Sequence, residues 1–173
     1  MISAAPMKTS IFAGDITEAP ADAVCTSTNP RLSLAMGTGG AVRERGGLSI
    51  LREREAIVAA AAPLPPGSVH VTSAGTLPFR KVIHCVASDR GHNSSAAIVR
   101  ACVVNALAAA DDHGIARLAM PVFASGHAHF RFKEALAVMR EALRSASSDV
   151  AEVVVVVEAD RMEEAKRALK VST

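Results

Sequence analysis

Three short stretches carry residue types able to hold a small anion: "AGDITEAPAD" (13–22), "NPRLSLAMGTGGAVRERGG" (29–47) and "PVFASGHAHFRF" (121–132). In the first, Gly14 and Asp15 directly follow an apolar run. A carboxylate there can accept from an exocyclic amino group such as that of adenine, beside the backbone N–H of Ile16. Alternatively, Gly-Asp is simply a turn in which Asp15 caps its own backbone. In the second stretch Gly37, Gly39 and Gly40 let the chain approach a ligand closely, and a following helix points its unsatisfied N–H groups back at that space. Asn29 can donate and accept toward a sugar hydroxyl. The stretch is not a dinucleotide fingerprint, because Val42 stands where the third glycine belongs and no acidic strand end follows about twenty residues later. It is no P-loop either, lacking Gly-Lys-Ser/Thr. A ligand-free strand-to-helix turn would also use glycine, but three in four positions exceed what a turn needs.

In the third stretch Ser125 and Gly126 follow a strand and a helix starts near Phe132, so backbone N–H groups again converge where an anion would sit. His127 and His129 invite a metal reading but have no third spaced ligand, so no metal is expected and both read as loop histidines. Phe130 packs over a ligand or over the core. Two facing anion cradles plus a carboxylate at a distance suit a ligand with a central pyrophosphate and a base at one end, as in nucleotide-like diphosphates.

The elements that must position these stretches follow from periodicity and punctuation. Strands are expected at 7–13, 22–28, 68–74, 81–87, 116–122 and 152–158, the last an unbroken valine run of the kind buried on both faces. A short helix is expected from Ala41 to Arg45, ended by Gly46-Gly47, and a stronger one at 49–62 with Ser49 as N-cap and Pro63 beyond it. Asn93 or Ser94 caps a long helix running to about His113. The helix from 132 puts Phe132, Ala135, Leu136, Met139, Ala142 and Leu143 on one stripe, and a last helix covers 161–170. Strands alternating with helices imply a mixed, mostly parallel sheet covered on both sides. Ligands of such folds sit beyond the carboxyl ends of the strands, here after Ala13, Thr28 and Pro121.

With 173 residues the chain suits one domain, 1–173. It has no Trp and no Tyr, so its core must be built from small and branched aliphatics. A net charge of +2, with scattered Lys and Arg, is too diffuse for nucleic acid, which is not expected as a partner. Cys25, Cys85 and Cys102 are widely spaced in apolar surroundings, which reads as buried free thiols in a reducing compartment. The N-terminus lacks a signal-peptide pattern and no apolar run reaches the ~20 residues of a membrane span, so a cytoplasmic location without membrane association is expected.

The order of these motifs resembles the macro domain, the ADP-ribose-binding, Appr-1″-p processing family. Gly14-Asp15-Ile16-Thr17, Asp22-Ala23-Val24 through Asn29-Pro30, and Gly37 to Gly47 resemble its first half. "PGSVHVTSAGTLPFRKVIHCV" (66–86) resembles its middle segment and "AMPVFASGHAHF" (119–130) its second phosphate loop. The resemblance runs from about residue 9 to 158. It implies a three-layer α/β/α sandwich binding ADP-ribose or ADP-ribosylated partners, with no cofactor. Carried over by position, Asp15 holds the adenine amino group and the Ile16 N–H reaches the ring. Asn29 and the Gly37–Gly40 loop face the distal ribose, and Thr38, Gly39, Gly40, Ala41 and Val42 supply donors to one phosphate. Ser125, Gly126, His127, Ala128 and His129 wrap the pyrophosphate, Phe130 lies against the distal ribose, and the adenine face closes near Glu158 to Asp160.

The departures concern catalysis. Members that remove ADP-ribose from proteins commonly carry Asn-Ala-Ala-Asn and an acid in the glycine loop. Here the first is Thr26-Ser27-Thr28-Asn29 and Gly39 stands where the acid belongs. Ala128 replaces a usual aromatic and His129 a usual glycine. Binding is therefore expected ahead of the alternative, a hydrolase removing ADP-ribose from proteins or deacetylating O-acetyl-ADP-ribose with Asn29 as candidate catalytic residue. His84 reads as a satisfied core histidine.

Overall fold

Side chains branched at the β-carbon are stiff and suit a pleated, buried surface, and the runs that carry them fold as strands. In the computed structural model, which describes residues 6–171, these are β1 (Lys8–Ala13), β2 (Ala23–Thr28), β3 (Val69–Thr72), β4 (Lys81–Val86), β5 (Arg117–Pro121) and β6 (Glu152–Val157). The first five residues and the last two of the expected 1–173 domain lie outside the described residues. The strands form one sheet in the order β1-β6-β5-β2-β4-β3. Every neighbouring pair is parallel except β3–β4, which is antiparallel at one edge. The expected mixed, mostly parallel sheet is present.

Alternation along the strands divides the core between two faces. Helices α1 (Gly37–Gly46) and α2 (Leu48–Ala61) cover one face, where Val42 and Ile50 meet Val24, Val82 and Ala119. Helices α3 (Ala96–Asp112), α4 (Phe132–Ser145) and α5 (Met162–Leu169) cover the other, against Cys25, Ile83, Leu118, Met120, Val153 and Val155. β6 is buried from Val153 to Val157 because it serves both faces. The α4 stripe packs as expected through Ala135, Leu136, Met139, Ala142 and Leu143. No described helix is long and apolar enough to cross a membrane.

Adjacent strands β2 and β5 send the chain to opposite faces, β2 into α1 and β5 into α4. That divergence opens a crevice at the carboxyl ends of the strands. With five parallel strands, five loops reach that edge rather than the three expected; those after β4 and β6 join them.

Several boundaries differ from expectation for local reasons. Helix α1 begins at Gly37, not Ala41, since the Gly40 N–H already donates to the Met36 carbonyl at 3.1 Å. The glycines therefore form the first turn of the helix rather than a loop before it. Ser49 does not cap α2, which starts at Leu48 straight after Gly47 at φ +80°. Ser95, not Asn93 or Ser94, caps α3, its hydroxyl accepting from the Ile98 N–H at 3.2 Å.

Candidate functional site

The crevice is a cleft of about 630 Å³. Of the residues expected there, Asp15, Ile16, Asn29, Gly37, Thr38, Ala41, Ser125, Gly126, His127 and Ala128 line it. Five do not. Val42 is fully buried beneath α1. Gly39 packs against Leu34 and Gly40 against the Ala35 carbonyl. His129 and Phe130 turn their N–H groups back into the loop, to the carbonyls of Gly126 (3.2 Å) and Ala124 (3.1 Å), and Phe130 packs against the core.

On the β2 side, the first turn of a helix has N–H groups without intrahelical partners. Here those of Gly37, Thr38 and Gly39 find no acceptor among the described residues. The amides of Ala41 and Val42, by contrast, lie within the helical ladder. Of the expected donors Thr38 to Val42, Thr38 and Gly39 keep unpaired amides, Gly37 joins them, and Gly40, Ala41 and Val42 are spent within the helix. Gly37 has φ +60°, and a Cβ there would meet only open space. Both facts leave the backbone bare toward the cleft.

On the β5 side the chain folds back on itself. Ser125 donates both its N–H (3.4 Å) and its hydroxyl (2.8 Å) to the Val122 carbonyl, and Ala124 adopts φ +63°. The amides of Gly126, His127 and Ala128 have no acceptor among the described residues. Ser27, at the end of β2, ties the two sides together. Its N–H donates to the Thr38 hydroxyl (3.2 Å) and its own hydroxyl accepts from the Ala124 N–H (3.2 Å). Ser27 lines the cleft, and nothing in the residues around it signals this bridging role.

At the β1–β6 end, Asp15 realises the turn reading while still lining the cleft. One carboxylate oxygen accepts from the Thr17 N–H (2.8 Å) and the Thr17 hydroxyl (2.6 Å), and the other meets Arg45 at 3.3 Å. The Thr17 hydroxyl above all, with its N–H and Arg45, outweighs partial burial and holds the carboxyl below the usual carboxylate range. Glu158, Phe132 and Arg161 line this end too, with the Arg161 guanidinium 4.4 Å from the Phe132 ring centroid. The helical period places Phe132 on the core stripe of α4; at the first position of that helix it is half-buried and also reaches the cleft.

At the β2–β4 end, the Asn29 side-chain oxygen Oδ1 accepts from the N–H groups of Arg31 (3.0 Å) and Ser33 (3.3 Å). Its carboxamide NH2 is what remains for a ligand. Ser88 and His92 join it from the loop after β4. His84 lies outside the cleft, buried and hydrogen-bonded to the hydroxyls of Thr26 (3.1 Å) and Thr72 (2.9 Å). Burial pushes its pKa down to about 4, as expected for a satisfied core histidine.

A family model described as the Macro domain matches residues 25–139. An uncharacterized protein of Pyrobaculum aerophilum is 37% identical over 116 residues, covering 67% of this chain and 63% of its own length. An uncharacterized protein of Saccharolobus solfataricus is 32% identical over 134 residues, covering 78% of this chain and 75% of its own. The chain thus spans less than two thirds of the first of these relatives. Among solved structures, a variant Oceanobacillus iheyensis macrodomain with ADPR superposes at TM-score 0.85 with 22% identity, covering 97% of this chain and 94% of that one. A Trypanosoma brucei macrodomain in complex with ADP-ribose superposes at TM-score 0.79 with 19% identity, covering 94% and 67%.

Proposed function

This chain belongs to the macro domain family, and from that premise we propose that its cleft binds ADP-ribose, free or attached to a protein. The observation that carries the reading is the pair of unpaired amide sets, Gly37–Thr38 and Gly126–Ala128, opening on one cleft and tied through Ser27. Backbone N–H groups at a helix start and in a tight loop stabilise a doubly charged pyrophosphate with no need for a lysine or arginine. Sheet order gives the ligand a direction. From β1 to β2 are three strand intervals of ~4.8 Å, about 14 Å in all. The adenine lies at Asp15, Ile16 and Glu158, the pyrophosphate over β5 and β2, and the distal ribose by Asn29 and Ser88.

Groups in the cleft favour binding over turnover. A water attacking the distal ribose needs a base near Asn29. The Asn29 oxygen is held by two backbone N–H groups, and Gly39 offers no side chain. The acidic groups lining the cleft, Asp15 and Glu158, stand at the far end. The three free, buried cysteines accord with a reducing cytoplasm, and we read residues 1–173 as one macro domain acting there.

Calorimetric titration with ADP-ribose tests the reading: saturable heat at micromolar to millimolar ligand is expected, and none at millimolar ligand would overturn it. The same preparation incubated with an ADP-ribosylated protein should leave the modification in place. Turnover abolished by Asn29→Ala would instead establish the hydrolase.

A further inference from the structure

Past Asn29 lies a second groove of about 360 Å³, walled by Pro30, Pro63, Pro65 and Pro66 and faced by Asp89 and Arg90. Two backbone segments join the hollows. Asn29 lines the cleft and Pro30 the groove; Ser88 and His92 line the cleft and the three residues between them line the groove. The groove is already built. The Leu64 N–H donates to the Pro30 carbonyl (3.0 Å), pinning one wall to the other, and the Leu64 side chain is buried with Leu32 and Val86. Ser68 donates its N–H (3.1 Å) and hydroxyl (2.6 Å) to the Pro65 carbonyl. Proline has a fixed φ and no N–H, so these walls are stiff and apolar, and an occupant meets little further ordering cost.

The rim is positive. Asp89 spends its carboxylate on the N–H groups of Gly91 (2.8 Å) and Asn93 (2.9 Å). Arg54 reaches over to the carbonyls of Leu32 (2.6 Å) and Arg31 (3.1 Å). Arg31 and Arg90 are exposed, and neither meets a carboxylate among the described residues. Arg90 thus lines the groove beside a carboxylate that is already engaged, and exposed Arg31 directly follows the wall residue Pro30.

We propose that this groove seats the polypeptide flanking an ADP-ribosylated side chain, with acidic residues of that segment against Arg90 and Arg31. The proposal rests on the ADP-ribose reading of the cleft. With the base at the Asp15 end, a protein attached to the distal ribose leaves the cleft between Asn29 and Ser88, where the groove begins. Rim charges of this kind select partners and register.

The test compares free ADP-ribose with two ADP-ribosylated peptides, one flanked by Asp/Glu and one by Lys, titrated into the wild-type protein, Arg90→Glu and Arg31→Glu. The acidic-flanked peptide should bind about fivefold tighter than free ADP-ribose at low salt, and the Lys-flanked one no tighter. Arg90→Glu should erase that increment, favour the Lys-flanked peptide, and leave the affinity for free ADP-ribose unchanged. Equal affinities for free ligand and both peptides would overturn the groove assignment alone. Increments untouched by either reversal would do the same, as would a gain seen only with an ADP-ribosylated oligonucleotide. If free ADP-ribose does not bind, the reading of the cleft falls too, an outcome told apart by the silence of the free-ligand titration.

Discussion

Asp15 both caps the turn after β1 through Thr17 and faces the cleft, so its removal has two separable effects. Asp15→Ala loses the cap at a cost of about 1 kcal/mol, a fall in Tm of about 2–4 °C for a chain of this size. Asp15→Asn keeps an oxygen for the Thr17 N–H but loses the charge. It should melt within about 1 °C of wild type while binding ADP-ribose at least about fivefold more weakly. Calorimetry and thermal melts on the two variants separate the effects, and unchanged affinity in both would remove Asp15 from the site. Gly126 gives the complementary case. A Cβ there would touch nothing in the free protein and would project into open space. Gly126→Val should leave Tm in place and cut ADP-ribose affinity more than about tenfold by obstructing the pyrophosphate; a wild-type titration curve would show that the ligand lies elsewhere. Asp15, Asn29 and Gly126 were legible from their places just past strand ends, although turns use all three residue types and Asp15 also caps one. Phe132, Arg161 and Ser27 were not, since a stripe phenylalanine, a surface arginine and a strand serine look ordinary until distant segments meet.

At the level of elements, the alternation of strands and helices was readable from periodicity nearly throughout, because valine-rich runs and an apolar helical stripe leave little choice. Helix starts were less legible. Glycine weakens a helix by propensity, which hid the first turn of α1, and only the Met36–Gly40 hydrogen bond reveals it. Strand β4 carries a further consequence. His84 is buried neutral between two threonine hydroxyls, with its pKa lowered to about 4 by burial. The unfolded chain takes up that proton below about pH 6.5, whereas the folded one resists until about pH 4, so stability is full above pH 6.5 and declines below it. Denaturant unfolding should show about 2 kcal/mol less stability at pH 5 than at pH 7.5; a flat profile would show that the imidazole is not desolvated. Ser27→Ala belongs to the same scale. It leaves the Ala124 N–H without its acceptor, at about 1–3 kcal/mol, and should weaken ADP-ribose binding by loosening one loop relative to the other.

For the molecule as a whole, the proposed placement along the order β1-β6-β5-β2-β4 puts the two halves of the ligand at separate ends. AMP and ribose 5-phosphate should therefore bind together, each bringing one phosphate to the centre; ribose 5-phosphate titrated into AMP-saturated protein should still release heat, and its silence would show that the two share one end. Saturation with ADP-ribose at a hundred times Kd should add about 2.7 kcal/mol, a rise in Tm of roughly 5–10 °C. The sheet order itself was not legible: no local pattern states that β6 inserts between β1 and β5, and it depends on which helices fill which face. The same layering shields Cys25, Cys85 and Cys102, each wholly enclosed between β2, β4 and α3. An electrophile such as a maleimide dye can reach those sulfurs only when that layer parts. The rate at which this protein takes up label is therefore a direct clock of how often its interior opens.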